Sequence, residues 1–326
     1  MRVELLANPW SGKGTGPDRA ERIATELRRQ GCQCNIFVGR SREQTVEWGA
    51  ETARKGERMV VIGGDGTLNA VCEGLFPVGQ SSHTPTPPPL AMAAMGTANL
   101  LASEFKLPRA ESLLAQMVME NHAQMLDVGE LMLAGEEQQE IGMQCALVWD
   151  FGLGGALMKK MSEVRTGPIR KSQYFRLLHQ VLRDWQPNPQ RVIANGKDLG
   201  EFEYGIVTGI RTYAHPIFRF PVCAYDDNLW ELYLFRKMRK WLVPQLALAA
   251  ATGRLDRIQG AVNIRARTVE VSGETPSPVQ VDGDFAGFTP VRFCLPGHQL
   301  PVLYPPELQA SPAISLTSTA TDTPVQ

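Results

Sequence analysis

One stretch of the chain, MVVIGGDGTLN at 59–69, combines residue types that bind phosphate. Met59 to Ile62 is apolar with β-branched residues and predicts a buried strand, after which three glycines surround Asp65. Glycine lets the backbone turn sharply and approach a ligand closely, because no Cβ is in the way. We expect Asp65 at the carboxyl end of a parallel strand, with a helix from Thr67 whose N–H groups face the same crevice. A tight strand-to-helix turn capped by Asp65 is the alternative.

Two other predicted strands also end in loops of this composition. Asn8 to Gly14 (NPWSGKG) follows the first strand, and Met95 to Asn99 (MGTAN) follows a later one. The first loop suits a phosphate-contacting turn before a helix but lacks the Walker A spacing, and alone it is equally compatible with a surface turn. Because parallel topology gathers strand ends on one edge, the three loops together predict a phosphate site.

A pair of carboxylates near the end of the chain suits proton or metal chemistry. Asp282 and Asp284 stand two residues apart in Val279 to Phe285 (VQVDGDF), and on an extended chain such residues point to the same face. Phosphoryl transfer needs one carboxylate to accept a hydroxyl proton and another to hold metal or tune its neighbour's pKa. Taken alone, the same residues favour a plain Asp-Gly-Asp hairpin turn.

The elements that must position these residues divide the chain in two. Roughly the first 125 residues alternate strand and helix signals, which predicts an α/β domain with a doubly wound parallel sheet. The predicted strands are Val3 to Ala7, Asn35 to Val38, Met59 to Ile62 and Leu90 to Met95. The predicted helices are Pro17 to Gln30, Ser41 to Lys55, Thr67 to Leu75 and a short one from about Ala98.

After Asp127 the pattern changes to strands with few helices between them, which predicts an antiparallel, β-rich second domain. Its predicted strands are Gln138 to Trp149, Arg191 to Ala194, Tyr204 to Thr208, Leu229 to Phe235, Asn263 to Val271 and Val279 to Asp282. A helical insertion is expected at about 154–185, and a further helix opens at 236–242. The predicted domains are therefore 1–127 and 128–306, followed by a Ser/Thr/Ala/Pro-rich tail at 307–326 that we expect to be disordered.

Composition excludes several function classes. A formal net charge of −1 gives no global attraction to nucleic acid, which is not an expected partner. No apolar run approaches the ~20 residues of a membrane span, and the first residues indicate a strand without a signal-peptide hydrophobic region. The six cysteines are scattered, so neither a zinc knuckle nor a disulfide framework is expected. These features predict a cytoplasmic protein and leave open peripheral association with the inner membrane face.

Together, the three loops and the late Asp-Gly-Asp resemble the diacylglycerol kinase catalytic-domain family, which includes bacterial soluble lipid kinases, sphingosine kinases and ceramide kinases. The matching motifs at 8–13, 63–69 and 96–99 stand in the family's order and spacing, and the resemblance extends from Asn8 to about Pro305. GGDG alone is shared with NAD kinases and phosphofructokinases. The resemblance implies a nucleotide-binding α/β domain, a β-sandwich domain and an active site in the cleft between them.

The resemblance also assigns roles to individual residues. Those expected to line the ATP phosphates or form the nucleotide loops are Asn8, Ser11, Gly12, Lys13, Gly63, Gly64, Asp65, Gly66, Thr67, Gly96, Thr97 and Asn99. Asp65 would lie near Mg²⁺ or the transferred phosphoryl group, and Asp282 would be the general base, with Asp284 as the second carboxylate of that pair.

Two further carboxylates are expected to take part in metal binding. The resemblance places Asp127 in a Mg²⁺-linked network. It places Asp227 in a structural metal site, with the main-chain carbonyls of Ala224 and Leu229 as co-ligands. Oxygen ligands of this kind suit Mg²⁺.

The chain departs from the family pattern at four places. Asp284 stands where the family has Glu, Ala70 and Leu100 stand where acidic residues are usual, and Ala214-His215-Pro216 replaces a glycine triplet on the substrate side. These changes affect the expected acceptor side more than the nucleotide side, and they favour a changed substrate over a loss of activity.

The expected function is an ATP- and Mg²⁺-dependent lipid kinase that converts diacylglycerol to phosphatidic acid, with a lipid at the membrane surface as partner and a homodimer left open. Basic segments at 159–183 and 236–240 would dock on anionic headgroups, although solvated helix faces are at least as consistent with them. One alternative keeps the fold but takes a sphingoid base, a ceramide-type lipid or NAD as acceptor. Another is a nucleotide-binding regulator without catalysis.

Overall fold

The computed structural model describes residues 1–55, 57–80, 86–135, 139–164, 171–221, 224–238, 242–252, 254, 258 and 260–306. The strands are β1 (Arg2–Ala7), β2 (Gln33–Val38), β3 (Arg58–Gly63), β4 (Leu90–Ala94), β5 (Ala123–Ala134), β6 (Glu140–Cys145), β7 (Val148–Phe151), β8 (Gln190–Ala194), β9 (Lys197–Phe202), β10 (Tyr204–Thr208), β11 (Thr212–Tyr213), β12 (His215–Arg219), β13 (Trp230–Phe235), β14 (Ala261–Ala266), β15 (Thr268–Ser272), β16 (Pro278–Val281), β17 (Asp284–Phe288) and β18 (Val291–Leu303). The helices are α1 (Gly16–Arg29), α2 (Arg42–Lys55), α3 (Asp65–Leu75), α4 (Leu100–Glu104), α5 (Glu111–Glu120), α6 (Leu153–Val164), α7 (Lys171–Asp184) and α8 (Leu242–Thr252).

The N-terminal lobe is built on four parallel strands in the order β2-β1-β3-β4. Strands β1, β3 and β4 are buried along most of their length, as expected for a parallel sheet whose helices cover both faces. Helices α1 and α5 pack together, and α2 packs on α3. The predicted α/β fold with a parallel sheet is confirmed, while nucleotide binding stays a prediction.

The second lobe is a β-sandwich, also as predicted. Within the described ranges, six antiparallel strands form one sheet in the order β14-β13-β10-β7-β16-β17. This sheet packs against β5, β6, β18, β15, β8 and β9 around a core that includes Trp149, Phe151, Trp230 and Phe293. Its other face contacts apolar residues of α6, α7 and α8.

The two lobes share one sheet, because β18 runs beside both of them. Val302 of β18 pairs with Leu90 of β4 in parallel, while most of β18 pairs antiparallel with β5. The parallel strands therefore continue directly into the sandwich. Among the described residues, ten strands belong to this continuous sheet, and no helix is long and apolar enough to cross a bilayer.

Several element predictions needed correction. The long strands β5 and β18 were not predicted, and the proposed domain boundary at 127/128 falls inside β5. The single strand expected at 138–149 is two strands, interrupted at Ala146 and Leu147, whose N–H groups both donate to the Asp282 carboxylate. The strand expected at 263–271 is interrupted at Arg267. The predicted tail at 307–326 lies outside the described residues.

The close packing of α2 on α3 yields a stability prediction. A Cβ at Gly74 would overlap the carbonyl oxygen of Val46 and lie 2.9 Å from the nitrogen of Ala50. We expect Gly74→Ala to lower the free energy of unfolding by about 1–3 kcal/mol, because the two helices must separate. Urea unfolding measures this change.

The control is Glu51→Ala, which adds a helical alanine at an exposed position of α2. Its expected effect is within about 0.5 kcal/mol. A Gly74→Ala protein as stable as the wild type would contradict the helix contact.

Candidate active site

The loop after β1 is wound into a left-handed turn that presents main-chain N–H groups. Gly12, Lys13 and Gly14 have φ values of 58°, 63° and 91°, and the Thr15 hydroxyl donates to the Gly12 carbonyl at 2.8 Å. The positive φ of Gly12 favours glycine, and a Cβ there would also force the Met95 methyl group to move. The Gly12 N–H donates to the Met95 carbonyl at 3.2 Å, so Lys13 and Gly14 carry the following N–H groups of the turn. Successive N–H groups in such turns form concave anion sites.

The loop after β3 brings the GGDG motif to the start of α3. Gly64 is the N-cap of α3, and its carbonyl accepts from the N–H groups of Thr67 and Leu68 at 3.0 and 3.1 Å. The N–H groups of Asp65 and Gly66 precede this first hydrogen-bonded turn. The Gly64 backbone lies against Gly96 so closely that a Cβ at Gly96 would be 2.8 Å from the Gly64 Cα. The Asn8 amide donates to the Thr67 hydroxyl at 2.9 Å. The three predicted loops therefore meet at one edge of the sheet.

The loop after β4 is closed by Asn99. Its side chain accepts from the Gly96 N–H at 2.7 Å and donates to the Gly96 carbonyl at 2.8 Å, while its own φ is 52°. Thr97 is exposed within this loop. In the loop after β1, Ser11 is partly buried and Lys13 is exposed. These residues are accessible to a ligand at the predicted phosphate site.

Asp65 is buried and interacts with a neighbouring helix. Its carboxylate accepts from the N–H groups of Leu100 at 3.0 Å and Leu101 at 3.4 Å, at the start of α4. Burial, with a smaller contribution from the nearby Asp282, raises the pKa of Asp65 to about 6, although these N–H groups act to lower it. Asp65 thus joins the GGDG loop to α4, and its expected proximity to Mg²⁺ stays a prediction.

Asp282 lies in a two-residue turn between β16 and β17. It has a φ of 50° and Gly283 a φ of 90°, so the chain reverses at this point and is not extended. The expectation that Asp282 and Asp284 share a face is therefore wrong, and the hairpin alternative is correct. The reason is the Asp-Gly sequence itself, which favours turns with positive φ at both central residues.

The Asp282 carboxylate is almost completely enclosed by donors. It is 5% exposed and accepts from the N–H groups of Ala146, Leu147 and Val148 at 2.8–3.0 Å. The Asn69 amide also donates to it at 2.8 Å. Burial raises the pKa of Asp282 and outweighs these hydrogen bonds. Both carboxylate oxygens are thus engaged, which leaves Asp282 poorly placed to accept a substrate proton.

Asp284, the second member of the pair, has the more accessible position. It is exposed at the start of β17, and its Oδ2 atom lies 3.1 Å from where a Cβ on Gly66 would be. The carboxylate therefore faces the first turn of α3, beside the nucleotide loop. The glycine at 66 keeps this approach open.

Asn69 is a site residue that the sequence analysis did not single out. Its amide nitrogen donates to both the Gln144 carbonyl and Asp282, each at 2.8 Å. Its oxygen accepts from Arg42 at 2.7 Å. Asn69 therefore joins α3 to the sandwich lobe and to the carboxylate turn. The sequence signal that could have identified Asn69 is its position in α3, shortly after the GGDG motif and one residue before Ala70.

The predicted metal ligands lie near one another but are already engaged. Asp127 accepts from the Asn228 N–H at 2.5 Å and the Gln299 amide at 3.0 Å, and its pKa is raised mainly by burial and also by Asp227 and Asp226. Asp227 is paired with Arg265, whose Nη2 atom lies 2.5 Å from its Oδ2 atom. The guanidinium already supplies positive charge, so the Asp227 carboxylate as arranged does not fit a divalent cation. Metal ligation by the carbonyls of Ala224 and Leu229 stays a prediction.

The basic segments are only partly described. Lys159 and Lys160 on α6 both pair with Glu163, at 2.8 and 3.1 Å. Residues 165–170 and 239–241 lie outside the described ones. Docking on anionic lipid stays a prediction.

Burial of Asp65 predicts a pH dependence of stability. Its folded pKa of about 6 lies above the ordinary value of 3.8 for an aspartate, so the folded state holds the proton more tightly between about pH 4 and 6. Its contribution to the free energy of unfolding therefore falls by up to about 3 kcal/mol as the pH rises through this window. Urea unfolding of wild type and Asp65→Asn from pH 4 to 7 measures the difference. Parallel curves for the two proteins would contradict the buried placement.

The Arg265 pair predicts a response to Mg²⁺. Arg265→Gln is expected to lower the free energy of unfolding by about 1–3 kcal/mol. The reason is that both the exposed Asp227 and the buried Glu231 lose the guanidinium charge that faces them. MgCl₂ should then raise the melting temperature of Arg265→Gln more than that of the wild type. The matched control is Arg191→Gln, which removes the exposed pair with Asp198 and should change stability by less than about 1 kcal/mol. An equal Mg²⁺ response in Arg265→Gln and wild type would show that the guanidinium does not occupy a cation position.

Comparison with known proteins identifies relatives over the full length. Residues 2–131 match the family model of the diacylglycerol kinase catalytic domain. The diacylglycerol kinase of Staphylococcus carnosus is 21% identical over 306 residues, covering 90% of this chain and 91% of that protein. That of Bacillus subtilis is 22% identical over 314 residues, covering 94% and 97%.

Solved structures share the fold. The crystal structure of a diacylglycerol kinase from Bacillus anthracis matches with a TM-score of 0.72 at 18% identity, covering 94% of this chain and 98% of that one. Yeast NADH kinase complexed with NADH matches with a TM-score of 0.52 at 10% identity, covering 100% and 90%. The family model over residues 2–131 and the relatives at 21–22% identity show that this chain is similar to the diacylglycerol kinase catalytic-domain family.

Proposed function

We propose that this protein is an ATP- and Mg²⁺-dependent kinase that phosphorylates a lipid hydroxyl, with diacylglycerol as its substrate. The main support is the meeting of three glycine-containing loops at the start of α3, with the Asp284 carboxylate beside Gly66. Similarity to diacylglycerol kinases supports phosphoryl transfer to a lipid. A donor site and an adjacent exposed carboxylate are the two parts that such a reaction requires.

On the donor side, main-chain groups would hold the phosphates. The N–H groups of Lys13 and Gly14 in the left-handed turn, and those at the start of α3, would face the phosphates, and Lys13 adds a positive charge. Mg²⁺, when bound with the nucleotide, would supply positive charge that neutralises the phosphates. Asp65 would act from behind the loop, by holding α4 against it.

On the acceptor side, we assign the proton to Asp284. The lipid hydroxyl oxygen would form a bond to the γ-phosphorus as the bond between that atom and the β–γ bridging oxygen breaks, with ADP as leaving group. Asp284 would take the hydroxyl proton, because it is exposed at the loop while Asp282 is enclosed by N–H donors. Asp282 would instead fix the turn that carries Asp284.

A lipid substrate requires access to a membrane surface. We propose a cytoplasmic protein that meets its substrate peripherally at the inner face. A diacylglycerol hydroxyl lies at the level of the lipid headgroups. The cleft would therefore need only to approach the membrane surface, and no helix would have to insert into the bilayer. Electrostatic attraction of up to about 1 kcal/mol per basic residue near the surface would support this approach.

Transfer of labelled phosphate from ATP to lipid vesicles tests the proposal. With Mg²⁺ and vesicles that contain diacylglycerol, label should appear in phosphatidic acid. Asp284→Asn should lower kcat about 10²–10⁴-fold, as for loss of a general base, with little change in stability. Asp282→Asn should lower both activity and stability, because the amide nitrogen that replaces one carboxylate oxygen cannot accept from the donors around it, while the remaining oxygen keeps its own bonds. Glu270→Gln, at an exposed carboxylate on the sandwich, is the control and should behave as wild type.

Other outcomes separate the alternatives. Label in a sphingoid base or ceramide, and not in diacylglycerol, would keep the lipid kinase and change its substrate. NAD as the best acceptor would overturn the lipid assignment. Nucleotide binding without turnover on any acceptor would indicate a regulatory protein.

A further inference from the structure

The small β11–β12 hairpin lies between the two parts of the site, outside both large sheets. Its strands pack against α4 of the N-terminal lobe, and β12 also packs against α8. Within the described residues, β11 and β12 pair only with each other. Side-chain hydrogen bonds therefore decide where the hairpin sits.

One such bond network comes from the nucleotide side. Glu104, the last residue of α4, is buried and accepts from both the N–H and the hydroxyl of Thr212, at 2.9 and 2.6 Å. The Tyr225 hydroxyl also donates to it at 2.6 Å. The opposite end of α4 is bound by Asp65. Helix α4 is thus attached to the nucleotide loop at its start and to β11 at its end.

The second network comes from the carboxylate turn. Asp150 of β7 is fully buried and accepts from the Tyr213 hydroxyl at 2.7 Å and the Gln280 amide at 2.6 Å. The Gln280 oxygen in turn accepts from the N–H of Gly283 at 2.8 Å. Gly283 separates Asp282 from Asp284. Adjacent residues of β11 are therefore held by opposite sides of the site.

Glu104 and Asp150 bind adjacent residues of β11, and burial of each carboxylate costs free energy unless it is fully hydrogen-bonded. Hydroxyl and amide donors supply those bonds here, and the Arg211 guanidinium lies 4.0 Å from the Glu104 carboxylate. Packing of a two-stranded hairpin alone does not require this arrangement. A continuous path, from Asp65 through α4 and β11 to the turn, accounts for it.

We propose that Glu104 and Asp150 are positioning residues that hold the β11–β12 hairpin against both the nucleotide loop and the carboxylate turn, so that it forms the third side of the acceptor cleft. This inference rests on the proposed kinase function. The hairpin transmits the state of the nucleotide loop to the acceptor side. Both carboxylates act through β11 and do not touch the reacting atoms.

Two nearly isosteric variants test the inference. Thr212→Val removes the hydroxyl bound to Glu104, and Tyr213→Phe removes the hydroxyl bound to Asp150. Each should lower kcat/KM for the lipid acceptor about tenfold while changing the Kd for MgATP less than twofold. Their combination should lose little more than either alone, because both release the same hairpin. Thr212→Ser keeps the hydroxyl and should retain activity.

The control is Thr45→Val, which removes a buried threonine hydroxyl that donates to Ser41 at 3.0 Å, away from this path. It should leave acceptor kinetics unchanged. Losses in Thr212→Val and Tyr213→Phe that merely follow their melting temperatures, as in Thr45→Val, would overturn the positioning role. Unchanged acceptor kinetics in both hairpin variants would also overturn it.

Hydrogen exchange separates failure of this inference from failure of the kinase proposal. MgATP should slow amide exchange at 212–219 in the wild type and not in Thr212→Val or Tyr213→Phe. Such transmitted protection supports the inference even if no lipid is phosphorylated, a result that would overturn only the proposed function. Absence of nucleotide-dependent protection in the wild-type hairpin, or equal protection in all three proteins, would overturn the inference.

Discussion

The site depends on a single buried carboxylate that joins the two lobes. Asp282 gathers three consecutive main-chain N–H groups from the β6–β7 connection and the amide of Asn69 from α3. These partners lie more than a hundred residues away from it in sequence. Enclosure of this kind costs desolvation energy, and the ready-made N–H donors offset that cost. The result is a turn fixed tightly enough to present Asp284 at the nucleotide loop.

The same solution recurs around the cleft. Asp65, Glu104 and Asp150 are buried carboxylates that accept hydrogen bonds from main-chain N–H groups, hydroxyls or an amide. Asp65 thereby joins α3 to α4, Glu104 joins α4 to β11, and Asp150 joins β7 to β11. Although β18 connects the two lobes along one sheet, no backbone ladder among the described residues joins these particular elements, so side-chain acceptors hold them together. This arrangement explains why acidic residues outside the expected catalytic set are buried near the site.

Local sequence signals predicted the N-terminal lobe well. The turns at Gly63 and Gly96, each after a buried strand, and the helices that follow them are determined by neighbouring residues in the sequence. The second lobe was harder because β5 carries Asp127 and Glu130 within an otherwise apolar strand. Their partners, such as Gln299 and His298, come from β18 far along the chain. No window of neighbouring residues reveals that such charges are satisfied.

The roles of the two late aspartates show the same limit. The two-residue spacing of Asp282 and Asp284 suggested a shared face, but the intervening Gly283 allowed a turn that separates them. The turn signal was visible in the sequence, whereas the donors that enclose Asp282 were not. Resemblance to the family pointed to this segment. Which of the two carboxylates is enclosed and which is accessible became visible only in the three-dimensional arrangement.

The most direct test of this account is a crystal structure with Mg²⁺ and a non-hydrolysable ATP analogue. We expect the phosphates to lie on the N–H groups of Lys13 and Gly14 and on those of Asp65 and Gly66 at the start of α3. Asp284 should face the γ-phosphate while Asp282 keeps its bonds to the β6–β7 connection. Phosphates bound elsewhere, or an Asp282 that leaves its N–H donors to face the γ-phosphate, would contradict the account.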